Sequence, residues 1–246
     1  IHFGGVKAVD GVSFTVAPGE VFSIIGPNGA GKSTIFNLIS RIYAPTHGRI
    51  AFDGRDITGL QAHEVAPLGI ARTFQNIELF DHSTVLDNLL MGRHVHRSTN
   101  FIQDMLFLPA VRRAERMHRL RVEEVMEFLE LEAYREKMIA GLPYGVRKVV
   151  EIGRALAVGP KLILLDEPAS GLSVEESQDV AFWIEDMRRD MGLTVLMVEH
   201  DMRLVTQVSD RVLAMANGKP LAQGSPAQVQ ADPGVQAAYL GTEVAQ

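Results

Sequence analysis

A glycine-rich segment near the start of the chain constrains its fold and its chemistry more than any other feature. It matches the phosphate-binding loop pattern G-x-x-x-x-G-K-[ST] at every fixed position, and it consists of Gly26, Pro27, Asn28, Gly29, Ala30, Gly31, Lys32, Ser33 and Thr34. An apolar run over residues 21–25 precedes the segment, and apolar residues at helical spacing follow it, which predicts a strand, the loop and then a helix. A chance match is expected in roughly one such chain in a hundred. The segment therefore predicts a bound nucleoside triphosphate, with a turn that binds nothing as the minor alternative.

The residue types in this segment suit a phosphate group bound with a metal ion. Glycines let the backbone bend until successive N–H groups point at phosphate oxygens, and the following helix adds the positive end of its dipole. We expect Lys32 to lie between the β- and γ-phosphates, and the hydroxyl of Ser33 to bind Mg²⁺.

Composition and charge exclude several classes of protein. The chain has 246 residues, of which 46% are hydrophobic, enough for one large α/β domain with an inserted subdomain. Its formal net charge is -6, so no overall positive field favours nucleic acid. It has no cysteine, which excludes disulfides and is typical of a reducing cytosol. No apolar run approaches the roughly 18 residues of a membrane span. The sequence starts at Ile1 without a Met, and we expect some residues to precede it.

The remaining hydrophobic patterns divide the chain into a sheet-forming part and a helical part. Short strands are predicted in a β layer over residues 12–16, 49–52 and 70–74, and in a buried parallel core over residues 162–165, 194–198 and 211–215. Between these groups, apolar residues recur at helical spacing among many charges. We therefore predict an α/β fold in which residues 1–75 and 150–246 form the β layer and core, and residues 76–149 form an inserted helical subdomain.

Two adjacent carboxylates follow one of the predicted core strands. Asp166 and Glu167 come directly after the run over residues 162–165, at the carboxyl end of a strand, where open parallel sheets bind their ligands. Alone, such a pair is more often a solvated strand end. Beside a phosphate-binding loop, Asp166 is expected to hold Mg²⁺, directly or through water, and Glu167 to polarise the attacking water.

With these features the chain resembles, over nearly its whole length, the nucleotide-binding subunit of an ABC transporter. The resemblance implies a RecA-like phosphate-loop core, ATP as the nucleotide, and three further site residues. Gln75 matches the glutamine that joins the Mg²⁺ and water cluster to the helical subdomain. His200 matches the histidine that contacts the γ-phosphate and the attacking water, and Phe3 matches the aromatic residue that stacks on adenine. Taken singly, His200 would more often be an ordinary strand-end histidine and Phe3 a core aromatic residue.

Two segments depart from the common pattern of that family. The signature motif, usually L-S-G-G-Q, is here Leu-Pro-Tyr-Gly-Val over residues 142–146, so the serine that contacts the partner's γ-phosphate is replaced by Pro143. We expect that contact, made in trans, to fall on Gly145. Ser173 stands where the family's usual D-loop aspartate would lie.

The same departures narrow the resemblance to one group within the family. The phrases L-P-Y-G, E-P-A-x-G-L and A-Y-L-G are similar to those of ATP-binding subunits from importers of branched-chain, or hydrophobic, amino acids. The segment 92–121 favours that group over the lipopolysaccharide-export ATPases, which have a shorter helical insertion. The implied partners are a second ATP-binding subunit, two membrane permease subunits and, indirectly, a periplasmic binding protein. The implied location is the cytoplasmic face of the cell membrane.

Two other functions remain open at this point. An ABC ATPase of DNA repair or translation would bind nucleic acid, but such proteins join two of these domains in one chain or insert a long coiled coil. A scaffold that binds nucleotide without turnover would share the motifs. Salt-dependent binding to DNA or RNA would identify the first alternative, and an ATPase assay would identify the second.

Overall fold

The computed structural model describes residues 1–96 and 109–243. Its strands are β1 His2–Phe3, β2 Val6–Lys7, β3 Val21–Ile25, β4 Ala51–Phe52, β5 Arg55–Asp56, β6 Ile70–Arg72, β7 Leu162–Asp166, β8 Thr194–Val198, β9 Arg211–Ala216 and β10 Lys219–Gly224. Its helices are α1 Lys32–Ile39, α2 Ala62–Val65, α3 Val85–Gly92, α4 Pro109–Phe128, α5 Tyr144–Ala157, α6 Val174–Arg189, α7 Met202–Val208, α8 Pro226–Gln230 and α9 Pro233–Glu243. Short 3-10 turns cover Ala66–Leu68, Arg93–His96, Glu132–Tyr134 and Ile139–Gly141.

A six-stranded sheet in the order β10-β9-β3-β8-β7-β6 forms the centre of the molecule. The strands from β9 to β6 are parallel, and β10 pairs antiparallel with β9. Strands β3 and β7 are buried along their whole length, which explains why both are mostly apolar, since a parallel sheet is covered on both faces. The carboxyl ends of β3, β6, β7 and β8 therefore meet at one edge. Lys32, Gln75, Glu167 and His200 follow these four strands along the chain, and Asp166 is the last residue of β7.

The β layer is smaller than the sequence predicts. It consists of two hairpins, β1-β2 and β4-β5, and two predictions about it are wrong. Residues 12–16 form no strand, and residues 70–72 form β6 at the edge of the central sheet, where they pair parallel with β7. Val12, Phe14 and Val16 are half-buried while the residues between them are exposed, so the alternation reflects burial on one face without a hydrogen-bonded ladder. Phe14 packs its ring on that of Phe22, with centroids 5.2 Å apart, and this contact holds the segment on the sheet.

The helical part of the chain shares a hydrophobic core with the sheet. Leu89 of α3 and Met126 of α4 belong to the same buried cluster as Ile163 of β7. The boundary predicted at residues 149 and 150 falls inside α5, a helix that packs against both parts. Part of the segment 92–121, namely residues 97–108, lies outside the described residues. Within the described residues, no helix is long and apolar enough to cross a bilayer.

Candidate nucleotide-binding and hydrolysis site

The phosphate-binding loop connects β3 to α1, as predicted, and two of its glycines are required by crowded backbone. Gly26 has φ 151, and a Cβ there would lie 2.2 Å from the carbonyl oxygen of Met215. Gly31 has φ 100, and a Cβ there would lie 2.5 Å from the carbonyl oxygen of Ala8. These positions favour glycine both by conformation and by space. The loop is thus held between β9 and the segment that follows the first hairpin.

The loop presents its polar groups at the start of α1. Asn28, Gly29 and Ser33 are exposed, whereas Ala30 is buried and Thr34 half-buried. The first-turn N–H groups of a helix have no intrahelical partners. Together with the positive end of the helix dipole, they make this end of α1 suited to an anion.

Lys32 is the first residue of α1, and its side chain is buried against the phosphate-binding loop. Its Nζ donates hydrogen bonds to the carbonyl oxygens of Gly26, at 2.6 Å, and Pro27, at 3.1 Å. Burial lowers the pKa of Lys32, while the nearby carboxylates of Glu167 and Asp166 oppose that effect. An ammonium group has three N–H donors, so the two bonds to the loop leave a third donor for a phosphate oxygen.

Asp166 offers one paired and one unpaired carboxylate oxygen. Its Oδ2 accepts a hydrogen bond from Nη2 of Arg72 at 2.9 Å, and its Oδ1 is buried without a hydrogen-bond partner in the described part of the chain. Burial raises the pKa of Asp166, and Arg72 opposes the rise. A buried acceptor without a partner is costly, and a cation or its bound water would satisfy it.

The chemistry of these donors fits Mg²⁺. The described residues contain no group of three or more His, Cys, Asp or Glu side chains placed to hold a metal ion by themselves. That is the usual situation for Mg²⁺, which is held by one or two protein oxygens together with substrate phosphates and water. Asp166, Ser33 and Gln75 supply oxygen atoms of this kind.

Of the side chains assigned to hydrolysis, Gln75 contacts the carboxylate of Glu167, whereas Nδ1 of His200 lies nearest to Oε2 of Glu199, at 3.7 Å. Gln75 donates from Nε2 to Oε2 of Glu167 at 3.2 Å, and Nδ1 of His200 lies 4.0 Å from the same oxygen. The side chain of Glu167 is 14% exposed and that of His200 is 58% exposed. Glu167 has φ 50, a left-handed conformation that costs energy for any residue other than glycine. Such strain at a site residue indicates that its direction is fixed by the surrounding structure.

Other charged residues hold this site together, and motif matching missed them. Glu199 is fully buried, and its carboxylate accepts hydrogen bonds from the backbone N–H groups of Ala169 and His200 at 3.0 and 2.8 Å. Arg72 also donates to Oδ1 of Asn37 at 2.7 Å. Arg72 could have been identified as a site residue by one signal, since it is a charged residue at the end of the short apolar strand β6. The buried Lys148 and Glu151 carried no such signal.

Phe3 and Gly145 lie outside this cluster. Phe3 is 46% exposed on the first hairpin, and its ring contacts Tyr43 edge-on with centroids 5.1 Å apart. Gly145 is buried in the first turn of α5, where a Cβ would lie 2.0 Å from Oε1 of Glu176. The missing side chain of Gly145 therefore makes room for a residue of the same chain. Pro143 is the N-cap residue of α5 and lies just before its first turn.

Two family models match this sequence. The model described as ABC transporter matches residues 9–170, and the model described as branched-chain amino acid ATP-binding cassette transporter matches residues 219–245. The first match contains the phosphate-binding loop, Gln75, Gly145, Asp166 and Glu167. The second contains the C-terminal segment with the A-Y-L-G phrase.

The relatives and solved structures similar to the chain cover almost all of it. A high-affinity branched-chain amino acid transport ATP-binding protein, BraF of Pseudomonas aeruginosa, is 42% identical over 98% of this chain and 94% of its own length. LivG of Escherichia coli, with the same description, is 38% identical over the same shares. An ATP-binding cassette of an ABC transporter in its ADP conformation is 32% identical, with a TM-score of 0.82 over 98% of this chain and 95% of its own. A dimeric post-hydrolysis cassette bound to ADP and Pi is 26% identical, with a TM-score of 0.76 over 90% and 91%.

Proposed function

The chain belongs to the ABC transporter family, and from this premise we propose that it drives the import of branched-chain or other hydrophobic amino acids. As a member of this family it is an ATPase coupled to transport. The proposed solute rests on the names of BraF and LivG and on the match of the C-terminal segment. These findings favour the importer over the lipopolysaccharide-export alternative.

The observation that carries the proposed chemistry is the meeting of the site residues at one edge of the sheet. Lys32 and the N–H groups of the loop bind the phosphates and neutralise their charge. Phosphoryl transfer needs little covalent help from a protein, so positioning and charge stabilisation supply most of the catalysis. Glu167 orients the attacking water and takes its proton, while Gln75 and His200 hold that water and the γ-phosphate in line.

Mg²⁺ and the adenine ring extend the site beyond these residues. When bound by Ser33, Gln75 and Asp166, partly through water, the ion neutralises charge on the phosphates. Phe3 is exposed next to Tyr43, and we assign to it the stacking contact with adenine. Its hairpin leads into Ala8, whose carbonyl group packs against Gly31 of the loop.

The proposed partners are a second ATP-binding subunit, two permease subunits and a binding protein. The signature segment around Gly145 completes the nucleotide site of a second ATP-binding subunit, in line with the dimeric cassette that the chain resembles. The helical segment 76–149 faces two permease subunits, which receive the solute from a periplasmic binding protein. The chain then works at the cytoplasmic face of the membrane. The net charge of -6 favours this arrangement over binding to nucleic acid.

Steady-state hydrolysis by Glu167→Gln tests the chemical part of this proposal. The isosteric amide leaves the phosphate loop intact but cannot accept a proton, so turnover should fall by roughly 10²- to 10⁴-fold while ATP affinity is kept. Glu127→Gln, an exposed position on α4, is the matched control and should hydrolyse ATP normally. Phosphate release by Glu167→Gln close to that of the control would contradict the role of Glu167 and would favour a different base.

Uptake of labelled leucine tests the solute. Cells that carry Glu167→Gln in place of the unmodified chain should lose high-affinity leucine uptake. Cells with Asp179→Asn, an exposed position on α6 outside the segment assigned to the permease, should keep it. If leucine uptake is kept in both strains, the transported solute is a different one.

A further inference from the structure

Two buried charged residues lie one turn apart on α5, and the nucleotide site as assigned above does not use them. Lys148 is 2% exposed and Glu151 is 1% exposed. Lysine and glutamate are rarely buried this fully without a specific partner. Burying a charge is costly even when it is paired. The groups to which these two side chains are bonded therefore indicate their role.

Lys148 is bonded to the backbone of Glu167. Its Nζ donates to the carbonyl oxygen of Glu167 at 2.8 Å. This is the residue whose φ of 50 is a strained backbone conformation, which persists only where surrounding contacts impose it. Burial lowers the pKa of Lys148, and the carboxylates of Glu151, Glu199, Glu167 and Asp166 all oppose that effect. The ammonium group thus lies among the acidic groups of the site and holds the backbone of one of them.

Glu151 is bonded to the backbone just before Gln75. Its Oε1 accepts a hydrogen bond from the N–H of Phe74 at 2.9 Å, and its Oε2 is buried without a hydrogen-bond partner in the described residues. Residues 74 and 167 are far apart in sequence, yet the side chain of Gln75 meets that of Glu167 at 3.2 Å. Helix α5 therefore fixes the backbone on both sides of this contact.

We propose that Lys148 and Glu151 are positioning residues for ATP hydrolysis, which set the direction of the Glu167 carboxylate and the Gln75 amide. The inference rests on the proposed role of Glu167. Neither residue touches nucleotide in this arrangement, and both act through the backbone of another residue. Helix α5 also carries Gly145 in its first turn. The same helix would therefore contact the nucleotide of the partner subunit through Gly145 and position Glu167 and Gln75 of its own subunit.

The test is a set of full-length variants measured for kcat, for ATP affinity by direct titration, and for thermal unfolding. Lys148→Met keeps most of the side-chain volume and removes the donor, so kcat should fall roughly 10- to 100-fold, the range expected for one lost contact to a charged group. ATP affinity should stay within about twofold. Lys148→Arg keeps a donor and should recover most of kcat. The matched control is Lys161→Met, which removes an exposed lysine paired with Asp53 and should behave as the unmodified protein.

A double variant separates positioning from general structural support. In a Glu167→Gln background, Lys148→Met should lower the residual turnover by no more than about twofold, because a residue that acts through Glu167 has nothing left to position. A further tenfold loss in that background, or a loss of ATP affinity that parallels the loss of kcat, would overturn the inference.

Glu151 provides an independent comparison that also holds if Lys148→Met does not fold. Glu151→Gln keeps an acceptor oxygen for the N–H of Phe74 and should keep kcat within about threefold, whereas Glu151→Leu removes it and should lose roughly tenfold. Equal kcat for these two variants would overturn the role of Glu151. If Glu167→Gln is inactive while Lys148→Met and Glu151→Leu turn over normally, the inference fails and the proposed function stands. If Glu167→Gln itself remains active, the proposed role of Glu167 fails first.

Discussion

The phosphate-binding loop and the signature helix α5 both contain a buried lysine that donates to backbone carbonyl groups, but they depend on different parts of the chain. Lys32 bonds to Gly26 and Pro27 in its own loop. Lys148 bonds to Glu167, and Glu151 bonds to Phe74, across long stretches of sequence. The contacts of Lys32 are thus made within its own loop, whereas Lys148 and Glu151 contact residues that only the fold brings near. A local motif identifies the first kind of site and misses the second.

Removing the lysine of the local site should have the largest effect on binding. Lys32→Ala takes a charged donor away from the phosphates, and ATP affinity should fall by roughly 100-fold, or about 3 kcal/mol. Isothermal titration with MgATP measures this directly. Lys148→Ala is the comparison across the two regions and should change affinity by no more than about twofold. Equal losses of affinity in both variants would mean that the two lysines do not differ in the way we describe.

Removing a long-range pair from the site should mainly affect stability. Arg72 and Asp166 form a buried ion pair, with side chains 9% and 1% exposed. Arg72→Met leaves a buried carboxylate without its partner, so the free energy of unfolding should fall by about 3 kcal/mol. Urea denaturation checks this value. The control is Arg189→Met, which breaks an exposed ion pair with Asp186 and should leave the urea midpoint almost unchanged, because solvent screens such pairs.

The proline that precedes α5 as its N-cap residue should matter least. Pro143 is exposed at the N-cap of α5, and its carbonyl oxygen accepts the N–H of Arg147 at 3.1 Å. Pro143→Ala keeps that bond and mainly adds freedom to the unfolded chain, so the free energy of unfolding should fall by about 0.5 kcal/mol. ATPase assays should show turnover within twofold of the unmodified protein. A tenfold loss of turnover would mean that Pro143 itself is part of the nucleotide contact.

The fold class and most of the core strands could be predicted from sequence because their signals are local. The apolar runs over residues 21–25 and 194–198 became β3 and β8 with the predicted bounds. Residues 12–16 show the limit of the same reasoning, since a period of two reports burial on one face and does not report a hydrogen-bonded partner. The roles assigned to Gln75 and His200 depended on resemblance, and the fold brings both side chains near Glu167.

The residues that sequence reasoning missed are those defined by tertiary contact. The side chain of Glu176 packs against Gly145 because the first turn of α6 lies beside that of α5. No spacing in the sequence indicates that contact. The same holds for Arg72 with Asp166. Charged residues inside apolar segments are the available hint, but their partners cannot be assigned until the strands and helices are placed.

We infer that each nucleotide site is shared between two copies of the chain. The most direct test is to measure the molar mass of Glu167→Gln by light scattering, with and without saturating MgATP. Blocked hydrolysis should trap a dimer, so the mass should double when MgATP is added. In the same background, Gly145→Asp adds bulk against Glu176 and negative charge at the start of α5, and it should remain monomeric while its ATP affinity stays within about twofold. A single mass for Glu167→Gln with and without MgATP, or a normal dimer of the Gly145→Asp variant, would contradict the shared site.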